Sequence, residues 1–217
     1  MSNICFIVGA GDMGDTCLNI SGNAYIIAAD AGLKYLKSAG YSPDLIVGDF
    51  DSLGEVPTGN NVIAHKPEKD DTDMMLAVKE ALARHADTIV IYGGLGGRID
   101  HSYANMQTLA YIANHGVTGY LAGCGCVCTV IKNGGIAFDQ SMLGIVSVFC
   151  VGNEAKGVDL IGLKYPLENH TLFCDYPLGV SNEFMGLPST VSVRDGMLAV
   201  IWNSPQLELE QYEIIRS

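Results

Sequence analysis

The sequence has few charged residues and lacks a long apolar run. Asp, Glu, Lys and Arg make up 17% of its 217 residues, whereas 48% are hydrophobic, and this balance predicts a folded globular protein rather than a disordered one. No apolar stretch approaches the roughly 20 residues that a transmembrane helix needs. Residues 1–11 lack the basic segment of a signal peptide, so we expect a cytoplasmic protein without a membrane segment.

Basic residues are scarce as well. Twelve Lys and Arg stand against 24 Asp and Glu, which gives a formal net charge of −12. A protein that binds nucleic acid through a basic surface has the opposite balance, so we expect no nucleic-acid partner. An acidic protein that handles phosphates must recruit cations, and the positions of its carboxylates therefore become important.

The seven cysteines lack the spacing of a zinc site. Cys124, Cys126 and Cys128 alternate along the chain, and alternate residues of a strand point to one face of a sheet. Structural zinc sites usually contain CxxC pairs instead. We therefore predict reduced cysteines, with these three in a buried strand.

The first half of the chain alternates short apolar segments with helical patterns. This order predicts a mostly parallel sheet with helices on both faces. The expected strands are Ile4–Val8, Tyr25–Ala29, 45–47, Val62–Ala64, Thr88–Tyr92 and 117–121. The expected helices are 31–38, 72–84 and 101–114.

The second half loses the helical periodicity. Short β-branched segments lie between Gly, Asn, Asp and Pro at 127–131, 145–151, 170–173, 190–193 and 197–202. The RDGM segment at 194–197 indicates a hairpin turn, because Asp-Gly tolerates positive φ. We therefore predict an α/β N-terminal domain with a mostly parallel sheet over residues 1–123. An all-β, sandwich-like C-terminal domain is expected over 124–217.

Acidic residues of the first half cluster where the expected strands end and helices begin. They are Asp30, Asp49, Asp51, Asp70, Asp71, Asp73 and Asp100. Ligands of an open α/β sheet bind at the carboxyl ends of its strands, so these side chains are expected at one edge, where a cation must neutralise them. Asp49 and Asp51 are two residues apart and could present two oxygens to one hard ion such as Mg²⁺. Each acid could alternatively cap a helix or complete a turn.

A glycine-rich segment, GGLGGR at 93–98, lies between an expected strand and helix. Glycine N–H groups can approach phosphate oxygens, and Arg98 can add paired charge-assisted hydrogen bonds. The segment lacks the Lys-Ser/Thr ending of a Walker A loop. His101 and Asn105 are four residues apart and share the helix face that follows, although His101 could equally be an ordinary surface residue.

A second glycine pattern follows the first expected strand. Gly9, Gly11 and Gly14 form GxGxxG, and Asp30 ends the second strand, which is the fingerprint of dinucleotide binding. The chain between the two strands leaves room for barely two helical turns, which is short for a crossover helix. We therefore expect a glycine turn near a phosphate or substrate rather than an NAD site.

These motifs, in this order, resemble those of the thiamine pyrophosphokinase family. The segments are ADAGLKYL at 29–36, PDLIVGDFDS at 43–52, KDDTDM at 69–74 and GGLGGRIDH at 93–101. The second segment is also similar to pterin pyrophosphokinases, whereas the last two favour the thiamine family. Weaker similarities are GLKYPL at 162–167 and GVSNEF at 179–184.

The resemblance implies an enzyme that transfers pyrophosphate from ATP to the hydroxyl of thiamine, in a homodimer with active sites between subunits. It implies catalysis and Mg²⁺ binding at Asp49, Asp51, Asp73 and Asp100, and ATP binding at Asp30, Lys69, Gly96, Gly97, Arg98 and His101. Thiamine binding is implied at Asp70, Asn105, Tyr165, Ser181 and Asn182. The alternatives are a pyrophosphokinase for a pterin alcohol, a non-catalytic nucleotide sensor, and a β half that serves only dimerisation, with Tyr165 and Trp202 in a core or interface.

Overall fold

The structure is a computed structural model that describes residues 3–20, 22, 24–50, 59, 61–64 and 71–216. The chain divides into two compact units. Unit 1 contains residues 1–108 and 119–124, and unit 2 contains residues 109–118 and 125–217. Strands dominate the described residues and helices are few. None of these helices combines the length and apolar character of a membrane span.

Unit 1 is built on a mostly parallel sheet. Its strands are β1 (Ile4–Val8), β2 (Tyr25–Ala29), β3 (Leu45–Gly48), β4 (Val62–Ala64), β5 (Thr88–Tyr92) and β6 (Thr118–Gly123). The strand order is β6-β5-β1-β2-β3-β4, and β1 pairs in parallel with both β2 and β5. The helices are α1 (Gly32–Ser38), α2 (Asp73–Ala83) and α3 (Ile99–Asn114).

The central strands are apolar throughout because both of their faces are covered. In β1, β2 and β5, every residue after the first is buried, as expected of a parallel sheet with two covered faces. Helix α1 begins at Gly32, where an added Cβ would lie only 1.9 Å from the carbonyl oxygen of Val8. The helix can therefore approach β1 this closely only with glycine at its first position.

Helix α2 has both a start signal and a buried stripe. The hydroxyl of Thr72 accepts a hydrogen bond from the N–H of Met75 at 3.1 Å, which caps the helix. Its buried residues are Met74, Ala77, Val78 and Ala81, which follow the 3.6-residue period. The predicted helix over 72–84 is thus confirmed to within one residue at each end.

The short connection between β1 and β2 contains no helix among its described residues, 9–20, 22 and 24. The crossover helix of a dinucleotide-binding unit is therefore missing from that described stretch, as the spacing of the sequence predicted. Gly9 and Gly11 of the GxGxxG pattern instead approach the loop after β5.

Unit 2 is made of antiparallel strands. They are β7 (Cys126–Phe138), β8 (Ile145–Ile161), β9 (Leu167–Phe173), β10 (Asn182–Glu183), β11 (Ser189–Asn203) and β12 (Tyr212–Arg216). The order is β10-β8-β11-β7, with β9 paired to β8 and β12 paired to β7. A 3₁₀ helix, η1 (Leu209–Gln211), precedes β12.

Four aromatic rings form the core of unit 2. Phe138 contacts Phe184, Trp202 and Tyr212 edge to face, with ring centroids 5.0 to 6.2 Å apart. Trp202 is only 1% exposed, so its predicted place in a core is confirmed. Tyr165 is 56% exposed, and a core position for this residue is wrong.

The predicted hairpin turn at 194–197 is wrong. Residues 189–203 form the single strand β11, which pairs with β7 on one side and β8 on the other. The register with β7 shifts between Val193 and Met197, and Gly196 has φ +115°. Glycine therefore provides a β-bulge within a continuous strand rather than a reversal.

The predicted buried position of the three alternating cysteines is only partly right. Cys128 is buried in β7, but Cys126 is half-buried at the start of that strand. Cys124 is exposed in the turn before it, with φ +52°. The alternation of the cysteines predicted a strand with one buried face. It did not show that the turn before this strand includes Cys124.

Candidate active site

A cleft in unit 1 lies at the carboxyl ends of the parallel strands. Its volume is about 340 Å³. It is lined by the segments that follow β1, β2 and β5 and by the first turns of α2 and α3. Six residues for which the resemblance implied a role line it: Asp30, Asp73, Gly96, Asp100, His101 and Asn105. This is the position at which open α/β sheets bind ligands.

The floor of the cleft consists of two interlocked glycine segments. The N–H of Gly9 donates to the carbonyl of Tyr92, and the N–H of Gly11 donates to that of Gly93, both at 2.8 Å. A Cβ added to Gly11 would lie 2.5 Å from the Gly93 oxygen, which is too close for any side chain. The glycines after β1 thus expose backbone to the cleft and allow the loop after β5 to approach.

Asn105 supports the glycine-rich loop from helix α3. Its side-chain amide donates a hydrogen bond to the carbonyl of Gly94 at 2.7 Å, and the residue is 8% exposed. This contact ties the first turns of α3 to the loop and satisfies a buried carbonyl. The contact with thiamine that the resemblance implied for Asn105 stays a prediction.

The acidic side chains of the cleft come from one strand end and from the first turns of two helices. Asp30 follows β2 with φ +49°, and its N–H donates to the carbonyl of Val47 at 2.8 Å. Asp73 is the first residue of α2, and Asp100 lies in the first turn of α3. Asp49 directly follows β3 but lies outside the lining of the cavity.

Two neighbouring residues of the cleft were not predicted. Thr72 and Met74 line it at the start of α2, and a Cβ on Gly9 would lie 2.6 Å from the Met74 methyl group. The helix-capping pattern at Thr72 is the sequence signal that could have indicated this segment. The proximity of Met74 to Gly9 could not be predicted, because the two residues are far apart in the sequence. Lys69, Asp70 and Asp51 lie outside the described residues.

Arg98 and Asp100 form an exposed ion pair beside the cleft. Nη2 of Arg98 lies 2.6 Å from Oδ2 of Asp100, and Nε lies 3.2 Å from Oδ1. The hydrogen bond from Arg98 lowers the pKa of the Asp100 carboxyl, and the same bond raises the pKa of Arg98. A guanidinium has five N–H donors and a carboxylate about four lone-pair sites, so this pair is compatible with the predicted contacts of Arg98 with phosphate and of Asp100 with a metal ion, which stay predictions. Gly97 adjoins the pair but does not line the cavity.

The chemistry of the donor set fits Mg²⁺, since carboxylate oxygens are hard ligands. Mg²⁺ usually takes one or two protein carboxylates and completes its shell with water and phosphate oxygens. In the described part of the chain, no group of three or more His, Cys, Asp or Glu is arranged to hold a metal ion. The predicted ligand Asp51 lies outside that part, so the four-aspartate metal site stays a prediction.

The predicted residues of the second half gather in unit 2. Tyr165 and Asn182 line a cavity of about 300 Å³ together with Leu160, Leu178 and Val180. Ser181 is exposed beside it, with φ +57°. Asn182 is 3% exposed, and its side chain bonds to the main chain of Tyr165. The structure therefore brings these three predicted residues together in one unit.

Two family models match this chain. The model described as the catalytic domain of thiamin pyrophosphokinase matches residues 18–121, which include most of the cleft. The model described as its vitamin B1 binding domain matches residues 135–198 in unit 2.

Individual relatives agree with these matches. The chain is 30% identical over 183 residues to thiamine pyrophosphokinase of Bacillus subtilis, which covers 81% of this chain and 85% of the relative. It is 27% identical over 175 residues to thiamin pyrophosphokinase 1 of Caenorhabditis elegans, covering 73% and 71%.

Solved structures are similar over nearly the whole chain. A crystal structure of the Bacillus subtilis enzyme matches with a TM-score of 0.82 at 26% identity, covering 93% of this chain and 99% of that one. A thiamin pyrophosphokinase family protein from Enterococcus faecalis matches with a TM-score of 0.78 at 30% identity, covering 94% and 99%.

Proposed function

Since the chain belongs to the thiamine pyrophosphokinase family, we propose that the cleft of unit 1 is its ATP-binding and catalytic centre. The protein is an ATP-dependent diphosphotransferase that converts thiamine to thiamine diphosphate. The observation that carries the proposal is the position of this cleft at the strand ends. Three carboxylates and exposed glycine backbone meet there, and the lining apart from residues 9–11 lies within the range of the catalytic-domain model.

The reaction joins the hydroxyl oxygen of thiamine to the β-phosphorus of ATP and releases AMP. Such a transfer needs positioning and charge neutralisation more than covalent help from the protein. The glycine-rich loop after β5, His101 and Arg98 orient the phosphates. Asp73 and Asp100, which both line the cleft, are the candidates for accepting the hydroxyl proton.

Magnesium is the proposed cofactor, and Asp49, Asp51, Asp73 and Asp100 would hold it. When bound, Mg²⁺ neutralises the negative charge of the phosphate oxygens. Asp30, Lys69, Gly96 and Gly97 complete the proposed ATP site.

We further propose that residues 1–123 form an α/β domain for ATP and Mg²⁺, followed by a β-sandwich over 124–217. The parallel pairing in unit 1 and the antiparallel pairing in unit 2 support this division. Thiamine binding is assigned to Asp70, Asn105, Tyr165, Ser181 and Asn182. The match of unit 2 to a vitamin B1 binding domain favours thiamine over a pterin alcohol.

Unit 2 also carries apolar residues that suit a homodimer with active sites between subunits. Between 49% and 65% of the surface of these side chains is exposed: Ile161, Phe173, Tyr176, Val180, Met185 and Leu187. Exposed apolar surface favours association. Sedimentation velocity at micromolar concentration should give twice the 23.1 kDa mass of the chain, and a monomer throughout would contradict the dimer.

A product assay tests the function. The purified protein is incubated with ATP and thiamine, with Mg²⁺ or with EDTA, and AMP and thiamine diphosphate are separated chromatographically. Both products should form in equal amounts, and only with Mg²⁺. A pterin alcohol in place of thiamine should give no AMP. ATP binding without AMP release would instead indicate a nucleotide sensor.

A matched pair of variants tests the cleft. Asp73→Asn removes a carboxylate from the cleft and should lower kcat by about a hundredfold or more, the usual loss for one group that stabilises a transition state. Asp71→Asn is the control, because Asp71 forms an ion pair with Lys79 at 2.6 Å and lies outside the cavity lining. Equal activity of the two variants would place catalysis elsewhere.

A further inference from the structure

Two short segments of unit 2 form an antiparallel ladder outside the long strands. Leu163 forms an isolated bridge with Phe184. The next pair continues in register, since the N–H of Lys164 donates to the carbonyl of Glu183 at 3.0 Å. The side chains of this second pair also form an ion pair at 2.7 Å. The third position of this register pairs Tyr165 with Asn182.

At that third position, the side chain of Asn182 forms the hydrogen bonds that its main chain would form in a regular ladder. Oδ1 of Asn182 accepts from the N–H of Tyr165 at 2.9 Å, and Nδ2 donates to its carbonyl at 2.7 Å. The preceding residue, Ser181, has φ +57°, and its N–H donates to the hydroxyl of Ser147 at 3.0 Å. Because this left-handed residue turns the main chain away, the amide of Asn182 extends the ladder by one residue.

The hydrogen bonds of Asn182 leave its oxygen no capacity for a ligand. Oδ1 also accepts from the N–H of Glu183 at 2.9 Å, and an amide oxygen has two lone pairs. The residue is 3% exposed. By contrast, the ring of Tyr165 is mostly exposed and lines the cavity beside Leu160 and Leu178.

We propose that Asn182 is a positioning residue that presents the Tyr165 ring to the aromatic, cationic acceptor alcohol. An exposed phenol ring flanked by aliphatic side chains packs against a flat heteroaromatic ring. The ring of Tyr165 already has a cation over it, since Nζ of Lys164 lies 5.4 Å from the ring centroid, so the proposed contact rests on ring packing. This inference rests on the proposed function, because the acceptor is thiamine. It gives Asn182 an indirect part in the thiamine binding that the resemblance implied for this residue.

A double-mutant cycle tests the coupling. Asn182→Ala and Tyr165→Ala should each raise the KM for thiamine by about tenfold, which corresponds to one aromatic contact, with kcat and the KM for ATP unchanged. The double variant should have the KM of Tyr165→Ala alone, because Asn182 acts through that ring. Multiplied effects in the double variant would overturn the proposal, since they would show a separate contact.

Asn182→Asp provides a second test that also serves if the alanine variant does not fold. The carboxylate keeps both acceptor bonds but loses the donor to the Tyr165 carbonyl. Protonation restores a donor, so the KM for thiamine of this variant should fall towards the wild-type value as pH is lowered. Asn203→Asp is the control, since Asn203 accepts an N–H bond from Ile145 at 3.1 Å outside this cavity. An unchanged pH profile would contradict the role of the donor.

The outcomes separate the two proposals. A wild-type protein that forms no thiamine diphosphate contradicts the proposed function. A wild-type protein that forms it, with an unchanged KM for thiamine in Tyr165→Ala, overturns the positioning role and leaves the function standing.

Discussion

Gly11→Ala tests whether the interlocked glycine segments hold the cleft in shape. An alanine Cβ at this position would lie 2.5 Å from the carbonyl oxygen of Gly93, whereas ordinary contacts begin at 3.4 Å. The two segments must therefore separate by about 0.9 Å. This movement breaks the 2.8 Å hydrogen bond between the same two residues.

The size of the effect follows from that displacement. Overpacking of this kind typically costs about 1–3 kcal/mol of folding stability. A displacement of roughly 1 Å in a binding site can lower the rate about a hundredfold, so kcat/KM for ATP should fall by a factor of that order. The KM for thiamine should change less, because its proposed ring contact lies in unit 2.

Steady-state kinetics with varied ATP, combined with urea denaturation, separates the two effects. Gly22→Ala is the matched control, since a Cβ there meets no atom within 4 Å, and its kinetics should equal those of the wild type. A folded Gly11→Ala protein with wild-type kcat/KM for ATP would refute the reasoning, because the cleft would then not depend on this close approach.

Three further predictions concern single hydrogen bonds. Asn105→Ala should lower the free energy of unfolding by about 1–3 kcal/mol, because the buried Gly94 carbonyl loses its donor, and urea denaturation measures this. The hydrogen bond with Cys128 lowers the pKa of Cys126 to about 7, so its labelling by iodoacetamide should rise through pH 7, and Cys128→Ala should move that rise to higher pH. Thr72→Ala should destabilise α2 by about 1 kcal/mol, the usual cost of a lost N-cap, and an unchanged melting temperature would contradict the cap.

Much of unit 1 could be predicted because its strands are apolar on both faces. The bounds of β1 and β5 agree with the predicted Ile4–Val8 and Thr88–Tyr92. A run of buried residues ends where the sheet ends, so composition alone marks the boundary. The placement of Asp30 in the cleft followed from the same rule, since it comes directly after β2, whereas Asp73 is the first residue of α2.

The error in β11 has a physical cause. A positive φ at Gly196 is needed both by a hairpin turn and by a bulge, and the local sequence is the same in either case. The long strands β7 and β8 on both sides decide the outcome, and this pairing is not visible in four residues.

The hydrogen-bond partners of individual side chains could not be predicted from the sequence either. The spacing of Arg98 and Asp100 allowed separate roles, but it did not predict that they bond to each other. The resemblance associated Asn182 with thiamine, whereas its partners are main-chain atoms 17 residues away. The roles of Asp51, Lys69 and Asp70, which lie outside the described residues, stay predictions.

The only tryptophan in the chain lies in unit 2, so tryptophan fluorescence reports on that unit alone. Trp202 is enclosed by Phe138 and Tyr212 in unit 2, and unit 1 contains no tryptophan. Its fluorescence emission, blue-shifted in an apolar environment, therefore reports the folding of the antiparallel unit alone. Following this signal beside the far-ultraviolet circular dichroism of the helices would show whether the two units unfold in one transition or in two.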